Sequence, residues 1–192
     1  MDNLTLAVTG TVVVATGAVV ILVLVWIIAT YNKLVTLRNR VKNQWAQVDV
    51  HLKRRFDLIP NLVESVKGYA KHEKATLEAV ITARNNAVSA KTPKDEITAN
   101  NQLTGMLNKL FALSEAYPEL KANASFLQLQ KSLKDTEDKI AYARQFYNDS
   151  VLIYQNKTEA FPTVIIAGIF GFKAEDYFVV AESERMNVEV KF

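Results

Sequence analysis

Apolar residues follow two different patterns along this chain of 192 residues. Residues 4–30 carry no charged side chain, whereas apolar residues recur at spacings of three and four after residue 31. A helix rises about 1.5 Å per residue, so roughly 20 apolar residues cross the hydrocarbon core of a bilayer. The pattern therefore predicts one membrane-spanning helix followed by the helices of a bundle, with almost no strand.

The apolar stretch differs from a secretory signal. A signal carries basic residues before an apolar region of about 7–15 residues and ends at a cleavage site of small residues. Here Asp2 precedes the stretch, and the bulky residues Trp26 and Ile28 lie near its end. We therefore interpret residues 1–3 as an external N-terminus and residues 4–30 as an uncleaved transmembrane helix.

Basic residues flank the apolar stretch on its C-terminal side. They are Lys33, Arg38, Arg40 and Lys42. Because the cytoplasmic flanks of membrane helices are enriched in lysine and arginine, this asymmetry predicts that the N-terminus faces outward and that residues 31–192 are cytoplasmic. The lipid bilayer is the first predicted partner, since anionic headgroups attract basic residues near the surface.

The first long helix is predicted to continue directly from the span, because nothing between residues 30 and 34 stops a helix. Its apolar stripe alternates by four and three, which is typical of coiled-coil packing. The stripe consists of Val41, Trp45, Val48, Leu52, Arg55, Ile59, Leu62 and Val66. Gly68 is predicted to end the helix, and Pro60, which removes a backbone hydrogen bond, is predicted to kink it.

Two shorter helices and a second long one are predicted next. Residues 73–90 form the first short helix, with Leu77, Ile81, Arg84 and Val88 towards the core. The second is predicted to begin with Thr92 as its cap, because proline fits the first helical position after it. Either Asn123 or Ser125 is predicted to cap the second long helix. Its stripe consists of Phe126, Leu129, Leu133, Thr136, Ile140, Ala143, Tyr147, Ser150 and Tyr154.

These elements predict an all-α fold in which residues 31–160 form an antiparallel four-helix bundle of two long and two short helices. Antiparallel packing of the long pair brings Arg55 level with Asp138, and Asp49 close to Arg144. We expect both to be ion pairs that fix the helix register rather than catalytic groups, since buried ion pairs are associated with specificity more than with stability.

Residues 161–172 form a second charge-free stretch, which is too short to span a bilayer. Its apolar interaction residues are Phe161, Ile165, Ile166, Ile169, Phe170 and Phe172. Two interpretations are open: the segment is tucked against the base of the bundle, or it contacts the membrane surface or a neighbouring subunit. Residues 173–192 carry mixed charge and are expected to form a mobile or strap-like tail.

The composition argues against several kinds of chemistry and partner. The absence of cysteine excludes disulfides and thiolate chemistry, and a net charge of +3 that is mostly juxtamembrane gives no reason to expect a nucleic-acid partner. His51 and His72 are too far apart to form a recognisable metal or catalytic motif, so no cofactor, metal or catalytic residue is predicted.

Two further groups have a functional and a structural interpretation, and we favour the structural one for both. Asp57 and Glu64 are two turns apart, as a glycosidase pair could be, but no aromatic cleft signature accompanies them. A cluster of four aromatic residues on the second long helix could form a ligand platform, although their helical spacing favours core packing. These residues are Tyr142, Phe146, Tyr147 and Tyr154.

Four sequence segments resemble the LemA family of bacterial membrane proteins. They are YNKLVTLRNRVKNQWAQVDVHLKRRFDLIPNLVESVKGYAKHE from Tyr31, LFALSEAYPELKANASFLQLQ from Leu110, KIAYARQFYNDSVLIYQNK from Lys139 and FPTVIIAGIFGF from Phe161. The resemblance implies a single-pass anchor in the inner membrane, an external N-terminus and a cytoplasmic helical bundle. It supplies no catalytic motif, and family gene neighbourhoods point to membrane proteases and quality-control proteins as partners.

Two functions are compatible with these features. The first is a non-catalytic scaffold that forms homo-oligomers and organises membrane or partner proteins. The second is a membrane-tethered adaptor or signal-transducing subunit, in which Pro60 is a two-state joint and the bundle docks a cytoplasmic partner. Enzymatic activity is not expected, since no catalytic constellation is recognisable.

Overall fold

The computed structural model of the protein describes residues 3–70, 72–90 and 93–178. Every regular element within these residues is an α-helix, so the all-α prediction is confirmed. The helices are α1 (Asn3–Lys67), α2 (Lys74–Ser89), α3 (Pro93–Ser114), α4 (Pro118–Lys121), α5 (Ala124–Glu159) and α6 (Thr163–Phe170).

The chain divides into two compact units. Among the described residues, the first unit comprises residues 3–42 and 150–175, and the second comprises residues 43–149 and 176–178. Both long helices, α1 and α5, contribute residues to both units. The domain boundaries predicted after residues 30, 160 and 172 stay predictions, because a division by packing does not locate a membrane surface.

The first long helix has the bounds that its sequence predicts. The apolar stretch and the stripe that follows it belong to one helix, α1, which ends at Lys67, directly before Gly68. Pro60 lies inside α1 without ending it. The predicted kink at Pro60 stays a prediction.

The core of the second unit is formed by the last turns of α1, by α2, α3 and α4, and by the beginning of α5. Its buried residues are Ile59, Leu62, Val66, Ala70, Leu77, Val80, Ala83, Ala87, Leu103, Leu107, Leu110, Leu120, Phe126 and Leu133. Most of them are leucine, valine, isoleucine or alanine, which pack densely in a helical core. Within this core, the stripes predicted for the long helices supply the buried residues of α1 and α5.

The predicted face of α2 was wrong by a fraction of a turn. Val88, which we expected in the core, is 54% exposed, whereas Val80 and Ala83 are buried. A helix advances about 100° per residue, so a shift of one position moves a side chain from the core to the rim. Small alanines therefore form much of the buried face of α2, and Arg84 is at its edge.

The beginning of α5 resolves one of the open alternatives. The backbone N–H of Phe126 donates to Asn123 Oδ1 at 3.0 Å, so Asn123 rather than Ser125 caps this helix. Before it, α4 forms a single helical turn, with Pro118 at its first position. Thr92, the cap predicted for α3, lies outside the described residues.

The first unit packs α6 and the following residues against α1 and the end of α5. The buried residues of this unit are Thr30, Leu34, Leu37, Val41, Ser150, Val151, Tyr154, Thr158, Thr163, Ile166, Ala167 and Phe172. Gly171 ends α6 with a φ of 69°, a left-handed conformation that glycine adopts without a steric penalty. The backbone N–H of Phe172 donates to Ala167 O at 2.9 Å, so the chain reverses directly after the helix.

Candidate functional site

The second unit contains a buried polar network that joins α1, α3 and α5. Its centre is Arg55, which is fully buried. The Nη1 atom of Arg55 donates to Glu137 Oε1 at 2.8 Å and to Thr104 Oγ1 at 3.0 Å. The Nη2 atom donates to Asn100 Oδ1. One guanidinium group therefore bonds to residues of two other helices, which fixes how these three helices pack.

The carboxylate partner of Arg55 is Glu137, not the predicted Asp138. Asp138 follows Glu137 by one position and is exposed. The relative position of α1 and α5 along their axes is as predicted. Successive residues of a helix differ by about 100° in direction, however, so Asp138 points away from α1. The second predicted pair, Asp49 with Arg144, stays a prediction; the Arg144 guanidinium lies over the ring of Phe178, 4.6 Å from its centre.

A pair of carboxyl groups extends the network. The side chains of Asp49 on α1 and Glu96 on α3 are hydrogen-bonded to each other. Burial, followed by the charge of Asp49, raises the pKa of Glu96 to about 7, and burial also raises the pKa of Asp49. Below about pH 7 the Glu96 carboxyl group therefore keeps its proton, and its O–H donates a hydrogen bond to the Asp49 carboxylate. The network continues along α3, where Asn100 Nδ2 donates to Glu96 O at 2.8 Å.

Sequence reasoning missed this carboxyl pair. Asp49 and Glu96 lie on different helices and belong to no motif, so only their packing brings them together. Among the described residues, no group of three or more histidine, cysteine or acidic side chains could hold a metal ion. The acidic residues weighed from the sequence, Asp57 and Glu64, are both exposed.

The stability of the protein should fall as the pH rises from about 4.5 to about 7, the ordinary and the raised pKa of Glu96. The folded state keeps the Glu96 proton in this interval while the unfolded state loses it, so folding is favoured at the acidic end. Replacing Glu96 with glutamine should flatten this dependence. The measurement is the thermal unfolding midpoint between pH 4.5 and 8, with the exposed Glu64→Gln as the matched control. An unchanged slope in Glu96→Gln would contradict the assignment.

An aromatic cluster within the second unit holds residues 176–178 against α1 and α5. The ring of Trp45 stacks on Phe178 at 5.3 Å and meets Tyr147 edge-on at 5.1 Å. The Asn148 side chain bonds both backbone groups of Phe178, accepting from its N–H at 2.8 Å and donating to its C=O at 3.0 Å. Residues 176–178 are therefore strapped to α5. The remainder of the predicted tail, residues 179–192, lies outside the described residues.

Two of the four aromatic residues in the second half of α5 do not pack in a core. Tyr147 and Tyr154 are buried, as predicted, but Tyr142 is 65% and Phe146 59% exposed. They are four positions apart, so they project from the same side of α5 one turn apart. Two large neighbouring rings on a helix surface form an apolar patch that another molecule can contact. The core-packing interpretation was thus wrong for this pair.

A side chain of α2 compensates for Pro60. Proline has no N–H, so the carbonyl of Phe56, four residues earlier, loses its helical hydrogen bond. Arg84 Nε donates to this carbonyl at 2.8 Å. The free acceptor in α1 is therefore bonded from a neighbouring helix, which makes Pro60 and Arg84 a single structural feature.

A groove of about 720 Å³ lies between the last turns of α1 and the first half of α2. Its lining residues are Val63, Glu64, Lys67, Ala70, Lys74, Leu77, Glu78, Ile81 and Thr82. Aliphatic side chains form its floor, and charges of both signs form its rim. Such a groove can accept an apolar group from another molecule.

The basic residues after the apolar stretch differ in their surroundings. Lys33, Arg40 and Lys42 are exposed, whereas Arg38 is half-buried. The guanidinium of Arg38 lies 5.1 Å from the ring centre of Phe172, which also meets the ring of Tyr31 at 5.6 Å. Arg38 therefore contributes a cation–π contact within the first unit in addition to its charge.

The fold and these sites define a class of protein. Among the described residues, one helix, α1, is long and apolar enough to cross a membrane, and no part of its apolar window is buried. The all-α fold and this one N-terminal helix are the features expected of a membrane protein. The sequence profile of the LemA family matches residues 44–192, so the chain belongs to the LemA family.

Individual relatives agree with this assignment. The chain is 26% identical to a protein named LemA from Metamycoplasma hominis, over 82% of this chain and 73% of that protein. It is 26% identical to the magnetosome protein MamQ of Magnetospirillum gryphiswaldense and 25% identical to MamQ 2 of Paramagnetospirillum magneticum. Each of these two matches covers 77% of this chain but 64% of the relative, just under two thirds of its length.

Proposed function

We propose that the protein is a membrane-anchored, non-catalytic scaffold that self-associates and organises membrane or partner proteins. In this proposal α1 crosses the inner membrane of a bacterium with its N-terminus outside, and the helical bundle lies in the cytoplasm. The observation that carries the proposal is the exposed aromatic pair, Tyr142 and Phe146. The names of the relatives, LemA and magnetosome protein MamQ, are compatible with such a role.

The aromatic pair presents an exposed apolar surface, and the groove between α1 and α2 on the same chain is a surface that can receive it. Its floor contains Leu77 and Ile81, and its volume of about 720 Å³ suits large side chains. When a protruding apolar patch fits a pocket elsewhere on an identical molecule, the contact is head-to-tail and can close into a ring. Insertion of Tyr142 and Phe146 into the groove of a second copy would therefore propagate an assembly.

The test is the molecular mass of the full chain in mild detergent and in lipid nanodiscs. We expect a discrete multimer for the natural protein and a several-fold smaller mass for the double variant Tyr142→Ser, Phe146→Ser. The matched control is Lys134→Ser, Asp138→Ser, which alters two exposed residues with the same spacing on the same helix. Circular dichroism should show equal helix content in all three proteins.

Two results would contradict the scaffold proposal. One is a natural protein that remains a monomer at cellular concentration. The other is a multimer whose mass is the same in the aromatic variant and in the control, since assembly would then not use Tyr142 and Phe146.

The second candidate function is a membrane-tethered adaptor or signal-transducing subunit. The bond from Arg84 to the Phe56 carbonyl favours it, because the groove lies directly after Pro60 and its width depends on how α1 and α2 pack. A membrane protease or a quality-control protein is the partner that we propose here. Pro60→Ala separates the two functions: an adaptor that uses this joint should lose its response to the partner, whereas a scaffold should keep its mass.

A further inference from the structure

The helix α6 exposes an apolar face. Phe161, which precedes it, is 82% exposed, and Ile165 and Ile169 are 53% and 71% exposed. Ile165 and Ile169 are four positions apart and lie on one face of α6, and Phe161 is exposed in the turn that precedes the helix. The opposite face, with Thr163, Ile166 and Ala167, is buried within the first unit. A helix that is apolar all round requires an apolar environment on every side, and the structure covers only one of its sides.

The position of α6 relative to α1 identifies this environment. The ring of Phe170 meets the ring of Tyr31 edge-on, with 4.9 Å between the ring centres. Tyr31 directly follows the charge-free residues 4–30, where a spanning helix leaves the hydrocarbon core and where tyrosine is enriched. The C-terminal end of α6 therefore lies beside the end of the apolar stretch of α1, within one compact unit.

We propose that α6 is an interfacial membrane helix that lies in the leaflet from which Tyr31 emerges, with Phe161, Ile165 and Ile169 immersed in lipid. Its eight residues are too few to span a bilayer, but an apolar face can be buried about 5–10 Å below the headgroups. The turn at Gly171 brings the chain back, and Arg38 holds Phe172 on the protein side. The chain would then be held in the membrane at two places, by α1 and by α6.

This inference is independent of self-association, but it depends on α1 crossing the bilayer. The chain has no cysteine, so single cysteines can carry a spin label without further changes. The full chain is labelled at Ile169→Cys in vesicles of phosphatidylcholine and phosphatidylglycerol. Collision rates are measured with oxygen, which concentrates in lipid, and with a water-soluble nickel chelate. Val20→Cys in the apolar stretch is the lipid control, and the exposed Asp138→Cys is the water control.

We expect the Ile169 label to collide more often with oxygen than with nickel, at a depth between the two controls. A label that collides mainly with nickel, as at Asp138, would overturn the proposal. Shielding from both reagents would overturn it too, because a second copy or another protein would then cover α6. The Val20 label reports separately whether α1 spans the bilayer, and the mass of the aromatic variant reports on the scaffold, so these failures are distinguishable.

Discussion

Replacing Glu137 with alanine should destabilise the protein by about 2–3 kcal/mol, because it leaves the Arg55 guanidinium buried without its carboxylate. Loss of one partner of a fully buried ion pair costs roughly 3–5 kcal/mol, and we expect less here because solvent reaches the Glu137 side chain, which is 32% exposed. Thr104 and Asn100 still accept hydrogen bonds from Arg55, but neither carries a charge.

The measurement is thermal unfolding of the full chain in mild detergent, followed by circular dichroism. For a chain of this size, 2–3 kcal/mol corresponds to a decrease of roughly 5–10 °C in the midpoint. Asp138→Ala is the matched control, because Asp138 is the adjacent acidic residue and is exposed. Glu137→Gln should lie between the two, since it keeps an acceptor and loses the charge. Equal effects at the two positions would contradict the assignment of Glu137 as the partner.

Replacing Arg84 with methionine should cost about 1–2 kcal/mol in the natural protein and only a few tenths in a Pro60→Ala background. Methionine keeps an unbranched apolar side chain but cannot donate to the Phe56 carbonyl, which Pro60 leaves without a helical partner. In the Pro60→Ala protein, the N–H of the new alanine bonds this carbonyl within α1, so the bond from Arg84 is no longer needed.

The four proteins form a double-mutant cycle whose coupling energy measures the dependence of Arg84 on Pro60. Thermal midpoints in mild detergent supply the values. Lys74→Met is the control on the same helix, because Lys74 is exposed and pairs with Glu78 at the surface, and it should change the midpoint little. A coupling energy near zero would mean that Arg84 stabilises the protein without compensating for the proline.

The outcome for individual residues shows which kinds of prediction succeed. Helix ends were predictable where local chemistry decides them, as at Gly68, because a helix end depends on a few adjacent residues. For the cap of α5, the sequence left two candidates, Asn123 and Ser125. The stripes of α1 and α5 were predictable because a long repeat of threes and fours leaves one choice of face. The buried face of the short helix α2 was mispredicted, since a stripe of four positions does not determine the phase of the helix as strongly as a stripe of nine positions does.

The polar contacts were predictable only in part. That Arg55 is buried and faces α5 follows from its place in an apolar stripe, but the choice between Glu137 and Asp138 depends on the rotation of α5. The pairing of Asp49 with Glu96, and of Arg84 with the Phe56 carbonyl, joins helices that are far apart in the sequence. No local pattern marks such contacts, because each residue would be equally suited to solvent.

The sequence by itself determined that the chain is helical, that residues 4–30 can span a membrane, and which faces of the two long helices are buried. These properties follow from the spacing of the apolar residues and from the length of each apolar segment. Both signals are repeated along a whole helix rather than carried by single residues. Only the tertiary structure decided that Arg55 bonds to Glu137 and that Tyr142 and Phe146 are exposed while Tyr147 is not. It also decided that only one face of α6 is covered by the rest of the protein. A side chain's partner depends on the rotation and translation of a neighbouring helix, and a difference of one residue turns it by about 100°.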